Sequence, residues 1–540
     1  EGKLFDDDWN NIAPTVGFAW DPFKSGKTSI RANYRLAYDR MNTFLASSAI
    51  FPNTPGTSVT CNESNCATIP AGELRRVRFG IPALAPAATP GALRQPAAFS
   101  TNSVTVFDPS LRFPKTNQWS VSFQREVGAG FVLEANYIGH KGVGLFGAYD
   151  VNQVNIFASD ARCGGETFLA AFNTLRNSAA ATSCLANLLF TGNAANNAGS
   201  ASFRSTFSSE LNQGSVASAA LLMSQRTAGG VRTVAQANNV GAAFFQPFSQ
   251  FTGGLNVIDS NDYSVYHGFE LQVSRRVRRG LLMQGSYTLS KSMDTRSFDP
   301  AFTVVARTTN TGTGASPSGQ NTPFDIRNRR LNYGRSDFDR RHALQGYLVY
   351  DLPFGKGRRY MNDAPGFVNQ IVGGWEIANA MILQSGRPFT VYSGAFTLSN
   401  VVLSPANCNG CSPGTPGVVQ SSGTTFIFAP GEVERFSTPA PGELGNTGRN
   451  FFTGPKFFNL DMTLRKRFYF GERTNLEFRA DINNVTNTVS FEFPIAATSS
   501  IGTQSPGFTG TPTTNSTFGR IRDSVNSNAR RIQLGVKLNF

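Results

Sequence analysis

The chain has 540 residues, 40% of them hydrophobic and 16% charged, and a formal net charge of +14. A membrane-spanning helix needs roughly 18 or more consecutive apolar residues; the richest run, residues 217–223, is far shorter, so a helical membrane protein is excluded. The Lys and Arg residues are dispersed, without a recognition helix, an RNP-type aromatic motif or finger spacing, so the basic balance does not point to nucleic acid.

Alternation with period two, the pattern of a strand with unlike faces, runs from one end of the chain to the other. It opens at Val16/Phe18/Trp20 and Ile30/Ala32/Tyr34/Leu36/Tyr38, then returns at Trp119/Val121/Phe123 and Leu133/Ala135/Tyr137. The middle of the chain carries Phe269/Leu271/Val273, Met283/Gly285/Tyr287/Leu289 and Leu344/Gly346/Leu348/Tyr350. Trp375/Ile377/Met381/Leu383 follows, with Asn379 interrupting its apolar face. Phe458/Leu460/Met462/Leu464, Leu476/Phe478/Ala480/Ile482 and Ile532/Leu534/Val536/Leu538/Phe540 complete about eleven strands. Each is near the 9–11 residues of a tilted transmembrane strand.

The connections alternate short and long. Lys24-Ser25-Gly26, Gly128-Ala129-Gly130, Arg278-Arg279-Gly280 and Phe470-Gly471-Glu472-Arg473 are short, and 353–374 is modest; 41–115, 140–262, 292–337, 391–455 and 487–527 are long. Successive strands reverse direction, so all the long loops emerge on one side. Short periplasmic turns with long extracellular loops mark an outer-membrane β-barrel. The expected fold is therefore all-β, a transmembrane antiparallel barrel. A soluble sandwich or propeller would not usually carry structureless connections of this length on one face. Trp20, Trp375 and Phe468-Tyr469-Phe470 fall at expected periplasmic strand ends and Trp119 at an outer end, as aromatic girdles require.

All six cysteines fall in long loops, in close pairs: Cys61 with Cys66, Cys163 with Cys184, and Cys408 with Cys411. Disulfides in an oxidising compartment are the expected state. Cys408-Asn-Gly-Cys411 is half of a zinc site, but no second such pair follows, so no metal is expected there. Asp6-Asp7-Asp8 lacks the Gly and Glu of a calcium loop. His140, His267 and His342 stand near strand ends, where a solvated or hydrogen-bonded histidine is expected. No catalytic motif occurs, and neither an enzyme nor a cofactor is expected. Arg31, Arg35, Glu134, Glu270, Arg479 and Asp481 fall on the face opposite the apolar one and suit a wet lumen or the wall that meets a plug.

Several blocks resemble one family. Ala13-Pro14-Thr15-Val16-Gly17-Phe18-Ala19-Trp20-Asp21-Pro22-Phe23, Ser29-Ile30-Arg31-Ala32-Asn33-Tyr34, Asn117-Gln118-Trp119-Ser120-Val121, Glu134-Ala135-Asn136-Tyr137-Ile138-Gly139 and Tyr287-Thr288-Leu289-Ser290-Lys291-Ser292 are similar to strands of TonB-dependent transporters. Asp337-Phe338-Asp339-Arg340-Arg341-His342, Asp351-Leu352-Pro353-Phe354-Gly355 and Glu477-Phe478-Arg479-Ala480-Asp481-Ile482-Asn483-Asn484-Val485-Thr486-Asn487 resemble the Oar-like subgroup. The resemblance implies a barrel of about 22 strands, plugged by an N-terminal domain and driven by the TonB-ExbB-ExbD complex through an N-terminal box. In Oar-like members an Ig-type regulatory domain precedes the plug. Single-chain barrels of this kind have even strand numbers, so residues 1–540 are expected to be the C-terminal portion of a barrel, without the plug and the Ig-like domain.

Energy-coupled uptake or export of a large or scarce substrate is the expected function, with a passive porin or surface adhesin as the alternative. The sequence does not name the ligand. Outer-membrane lipid and lipopolysaccharide are expected partners, and so is the barrel assembly machinery, because Leu534, Val536, Leu538 and the terminal Phe540 resemble its recognition signal.

Overall fold

A strand whose alternate residues are apolar leaves its backbone groups unpaired until a neighbour supplies partners, and in a bilayer no water can substitute. The computed structural model describes residues 5–41, 103–228, 232–278, 280–297, 323–399, 401–429, 431–470, 474–491, 521 and 529–540. Eleven strands in it form one antiparallel path: β1 (Thr15–Trp20), β2 (Thr28–Tyr38), β3 (Lys115–Gly128), β4 (Phe131–Asp150), β5 (Gly254–Arg278), β6 (Leu281–Asp294), β7 (His342–Asp351), β8 (Trp375–Gln384), β9 (Phe457–Phe470), β10 (Thr474–Asn483) and β11 (Arg531–Asn539). Every strand pairs with the one that follows it in sequence, as a barrel wall requires. Two short strands join the sheet beside this path: Ser103–Phe107 runs parallel to β5, and Gly334–Arg335 pairs with β6. No helix among the described residues is long and apolar enough to cross a membrane.

Register sorts the side chains into two faces. Tyr34 pairs with Trp119, Trp119 with Gly139, Leu271 with Tyr287, Tyr287 with Leu344, and Leu344 with Leu383. Leu383 pairs in turn with Phe458, and further along the same face of β9 Met462 pairs with Ile482, which pairs with Ile532 at the far edge. This is the outward, apolar face. Its side chains are open to the surroundings, with Leu534 77% and Val536 65% exposed, as expected of atoms that face lipid. Asn379 does fall on this face, between Leu348 and Met462. Gly139 has a local reason: a Cβ there would run into the Trp119 ring.

The short turns are built from left-handed residues. Lys24 and Gly26 both have positive φ, and the Asp21 carboxylate accepts the Gly26 N–H at 2.7 Å. Gly128, Ala129 and Gly130 are all at positive φ.

Two expectations for the long loops are corrected. The connection expected over 140–262 is shorter, because β4 has 20 residues and β5 has 25, well beyond the 9–11 that span a membrane. Pairing continues past the hydrophobic segment, with register shifts around Gly144 and Gly147 that absorb the poor strand formers there. At about 3.3 Å per residue, the wall stands well clear of the bilayer on the loop side. The rest of that connection is not structureless either. It folds into α1 (Phe168–Asn177), α2 (Cys184–Thr191), α3 (Ala198–Thr206), α4 (Ser208–Gln213), α5 (Val216–Gln225) and the single turn α6 (Val234–Ala237). The 353–374 turn also contains a helix, α7 (Gly366–Val372).

The helices form an ordinary globular core. Thr167 caps α1 and Ser183 caps α2 through their hydroxyls, and Gly192 ends α2 in the left-handed conformation. Phe168, Ala171, Phe172 and Leu175 make one buried stripe on α1, at the spacing of a single helical face. They pack with Phe203, Phe207 and Phe245, with the Phe203–Phe207 ring centroids 4.9 Å apart. Each such side chain contributes about 1.5–3 kcal/mol when fully buried. Cys163 is bonded to Cys184 and Cys408 to Cys411, while Cys61 and Cys66 lie outside the described residues.

Candidate functional site

Two regions carry polar chemistry: the inward face of the wall, and the cap formed by the long loops. On the inward face, parity places Glu376 of β8, Arg465 and Arg467 of β9, and Glu477 of β10 beside one another near the short-turn end. They close a four-membered ring of ion pairs. Arg465 meets Glu376 at 2.7 Å and Glu477 at 3.2 Å; Arg467 meets Glu477 at 3.0 Å and Glu376 at 3.4 Å. Each carboxylate thus bridges both guanidinium groups. Arg479 and Asp481 continue the pattern at 2.8 Å, and the Thr463 hydroxyl donates to Asp481 at 2.6 Å. The result is a charge-balanced, partly exposed surface of paired groups.

The other inward residues expected from sequence take plain local partners. Arg31 donates to the Ser29 hydroxyl at 3.1 Å, and Glu134 accepts from Asn136 at 2.9 Å. Arg35 and Glu270 lie on the same inward face, in different rows. The structure joins Arg479 and Asp481 into one group but does not gather all six residues into a single site. Alternation finds inward residues; the Glu376–Arg465–Glu477–Arg467 ring was missed because it depends on the register between three strands.

The histidines divide by face. His267 shares a 2.8 Å hydrogen bond with the Tyr137 hydroxyl, and His342 one of 2.8 Å with that of Tyr287, both on the outward row. With Trp119 and Tyr34 they make an outer aromatic band. His140 faces inward, edge-on to Tyr266 at 5.8 Å. Among the described residues no group of His, Cys, Asp and Glu side chains is arranged to hold a metal. A cleft of about 830 Å³ lies above the band, lined by Lys115, Lys141, Tyr263 and Val265 of the outward row and by Asp8.

The cap is tied to the inward rim of the wall. Asp294 ends β6, and Arg449, from the loop between β8 and β9, forms a fully buried ion pair with it; the side chains are 2% and 0% exposed. Ser292, also inward, donates its N–H to Asp339 at 2.8 Å and shares a 2.7 Å hydroxyl contact with Ser336. Arg335 spends its guanidinium on the carbonyls of Asn450, Phe451 and Phe452 and on the Thr453 hydroxyl. The Asp337-Phe338-Asp339-Arg340-Arg341-His342 block is thus a clamp between strand ends and loops. Burial pushes the Asp337 carboxyl above its ordinary range, against the pull of Arg449 and Asn450.

The loops also hold one another. The N–H of Ala217 in α5 donates to the Phe396 carbonyl at 3.0 Å, and Phe396 and Val401 pack on the helical core. Gln153 meets Asp325 at 3.2 Å, and Arg327 reaches Ser399 at 2.6 Å. Burial raises the Asp325 carboxyl, but the hydrogen bonds from Arg327 outweigh it and the net shift is downward. Three connections far apart in sequence therefore form one packed unit over the wall.

The family model for an outer membrane beta barrel domain matches residues 1–533. The chain belongs to that family. As an outer membrane beta barrel it resides in the outer membrane, with the strands of the wall in the bilayer and the outward face against lipid. No curated protein sequence matches it. Among solved structures it is similar to the outer membrane transporter YddB from Escherichia coli, at 10% identity and TM-score 0.38, over 98% of this chain and 41% of that one. It is similar to the FrpB iron transporter from Neisseria meningitidis at 10% identity and TM-score 0.34, over 97% of this chain and 39% of the other. A third is the siderophore receptor PiuA from Acinetobacter baumannii, at 7% identity and TM-score 0.33, over 97% and 35%. The chain spans about two-fifths or less of the length of these proteins.

Proposed function

We propose that this outer membrane beta barrel is the C-terminal part of a TonB-dependent transporter, which moves a large or scarce substrate with energy supplied through the TonB-ExbB-ExbD complex. The observation that carries the reading is the pairing of a charge-balanced inward wall with a folded cap clamped to its rim. A polar wall suits a lumen that is occupied by a plug or by a hydrated substrate. A packed cap offers a fixed recognition surface over it, which a simple diffusion pore does not need. The sequence blocks that resemble the Oar-like subgroup support the same reading. A plug, and an Ig-like domain ahead of it, are proposed to precede residue 1. Among the described residues β1 and β11 each have one unpaired edge, and further strands of the same protein would close the wall on those edges. The row Leu534, Val536, Leu538 and Phe540 is proposed as the signal read by the barrel assembly machinery, and lipopolysaccharide as the lipid partner of the outer band.

The test uses the full-length protein. Site-specific cross-linking in cells should capture TonB, and the purified protein should stay closed in planar bilayers. A steady open conductance without any TonB cross-link would favour the passive porin.

A further inference from the structure

The 352–374 turn, on the short-turn side, is more than a connection. Gly355 is at φ +103° and packs on Gly373, so the two arms of the turn touch. Asn369 accepts the Lys356 N–H at 2.7 Å, and Asn362 accepts that of Gly357 at 2.8 Å. The turn is therefore folded, and it presents α7 in a fixed pose. That helix carries no charged residue. Phe367 and Ile371, one helical turn apart on one side, are 79% and 55% exposed.

The pose is set by an outward residue. Lys466 pairs with Trp375 across β9 and β8, in the same row as Leu464 and Ile377. Its ammonium donates to the carbonyls of Ile371, at 3.1 Å, and Gly373 at the end of α7. The Trp375 indole N–H donates to the Ile371 carbonyl at 2.9 Å. Lys466 also lies 5.2 Å from the Trp375 ring and 4.9 Å from that of Phe468. A cation in the apolar row is thus only 5% exposed, sheltered under the helix end. These contacts put α7 on the outer side of the wall, not across the lumen, so its exposed apolar face continues the lipid-facing row. Beside it, Lys356, Arg358 and Arg359 are exposed, with Tyr360 and Met361 about half exposed. The opposing carboxylates are Asp363 in the turn and Asp351 at the end of β7, the latter 3.8 Å from Arg358. Within 352–374 three cations face one carboxylate, a net charge of +2.

We propose that this turn is an interfacial anchor that binds anionic phospholipid of the periplasmic leaflet. Phe367 and Ile371 enter the acyl boundary, and Lys356, Arg358 and Arg359 take the phosphates. An apolar helix face flanked by cations is the composition that lies in a membrane interface, roughly 5–10 Å deep. The inference rests on the outer-membrane location and is independent of the transport reading.

The experiment places the full-length protein in nanodiscs of phosphatidylethanolamine with or without phosphatidylglycerol. A nitroxide on Phe367→Cys, and separately on Ile371→Cys, should collide with oxygen several-fold more than with a water-soluble nickel chelate. Heat-modifiable gel mobility checks that each variant is folded. The reverse ratio at both positions overturns the anchor, as does immobilisation of the nitroxides only after periplasmic extract is added, which would mark a protein-docking face. Phosphatidylglycerol co-purifying with the protein should fall about fivefold for each cation removed in Lys356→Gln, Arg358→Gln and Arg359→Gln. Unchanged enrichment in the triple variant overturns the anionic preference.

Discussion

The wall and the cap are built by opposite rules from the same chain. In the wall each strand contacts its sequence neighbours, large apolar side chains point away from the protein, and polar ones point in. In the cap Phe168, Phe172, Phe203 and Phe207 point at one another, in a core closed off from the surroundings. The wall gets its stability from backbone pairing in lipid, where an unpaired backbone group is costly. The cap is held by apolar burial away from water and by a few buried ion pairs. A change that ruins one region should therefore leave the other nearly intact, which makes the division testable.

The largest effect is expected at the joint. Arg449→Leu leaves the Asp294 carboxylate buried without its cation, which costs about 3–5 kcal/mol. Loops of the variant should become sensitive to protease added outside intact cells, while gel mobility still reports an assembled barrel. Loss of the barrel itself would show that wall and cap form one cooperative unit. Val536→Lys places a charge on the lipid face and should cost about 2–4 kcal/mol near the midplane; the expected result is failure to insert, read as loss of the heat-modifiable band. Removal of the Cys163–Cys184 bond by paired Ser substitutions should destabilise only the helical part of the cap, by about 2–4 kcal/mol in the chain-entropy model. Proteolysis would begin within residues 161–192, and mobility would stay normal.

Two smaller effects sharpen the contrast. Phe540 is 96% exposed, so its deletion removes almost no packing and should change the stability of the assembled protein by less than about 0.5 kcal/mol. The proposed assembly role instead predicts a reduced yield in the outer membrane. Normal yield and surface display would make Phe540 an ordinary strand end. The Arg162 guanidinium, hydrogen-bonded to Asp160, holds that carboxyl down from 3.8 to about 2. A depressed carboxyl contributes stability above its unfolded value and loses it as the pH falls through the folded one. The turn beside Cys163 should thus loosen slightly as the pH falls from about 3.8 to 2, with a small rise in the rate of phosphine reduction of the Cys163–Cys184 bond that Asp160→Asn should remove.

All eleven strands of the path were legible because a wall between lipid and water imposes period two on every segment. Even the exception, Asn379, falls on the face that alternation assigns it. The cap was not legible in the same way. Residues 217–223, too short an apolar run to span a membrane, are the buried heart of α5. The spacing of Phe168, Ala171, Phe172 and Leu175 behind Thr167 is a readable helix signal, weakened by the Asn, Ser and Thr around it. Lys466 could have been found as the one cation continuing the row Phe458/Leu460/Met462/Leu464. What it touches depends on α7, and therefore on how the 352–374 turn folds back. Ion pairs such as Arg465 with Glu376 join residues 89 apart in sequence, and only register brings them together.

The Arg449–Asp294 pair has a consequence in time. Its two residues are 155 apart in sequence, and the strands that position them, β6 and β9, are separated by two others. Contacts of such separation close late, because the chain between them must be ordered first. The joint cannot form until the ends of both strands have passed through the bilayer to the cell surface. The helical part of the cap, closed by local contacts and the Cys163–Cys184 bond, has no such requirement. Docking the cap on the rim thus follows insertion of the strands that carry the joint, and it takes place at the cell surface.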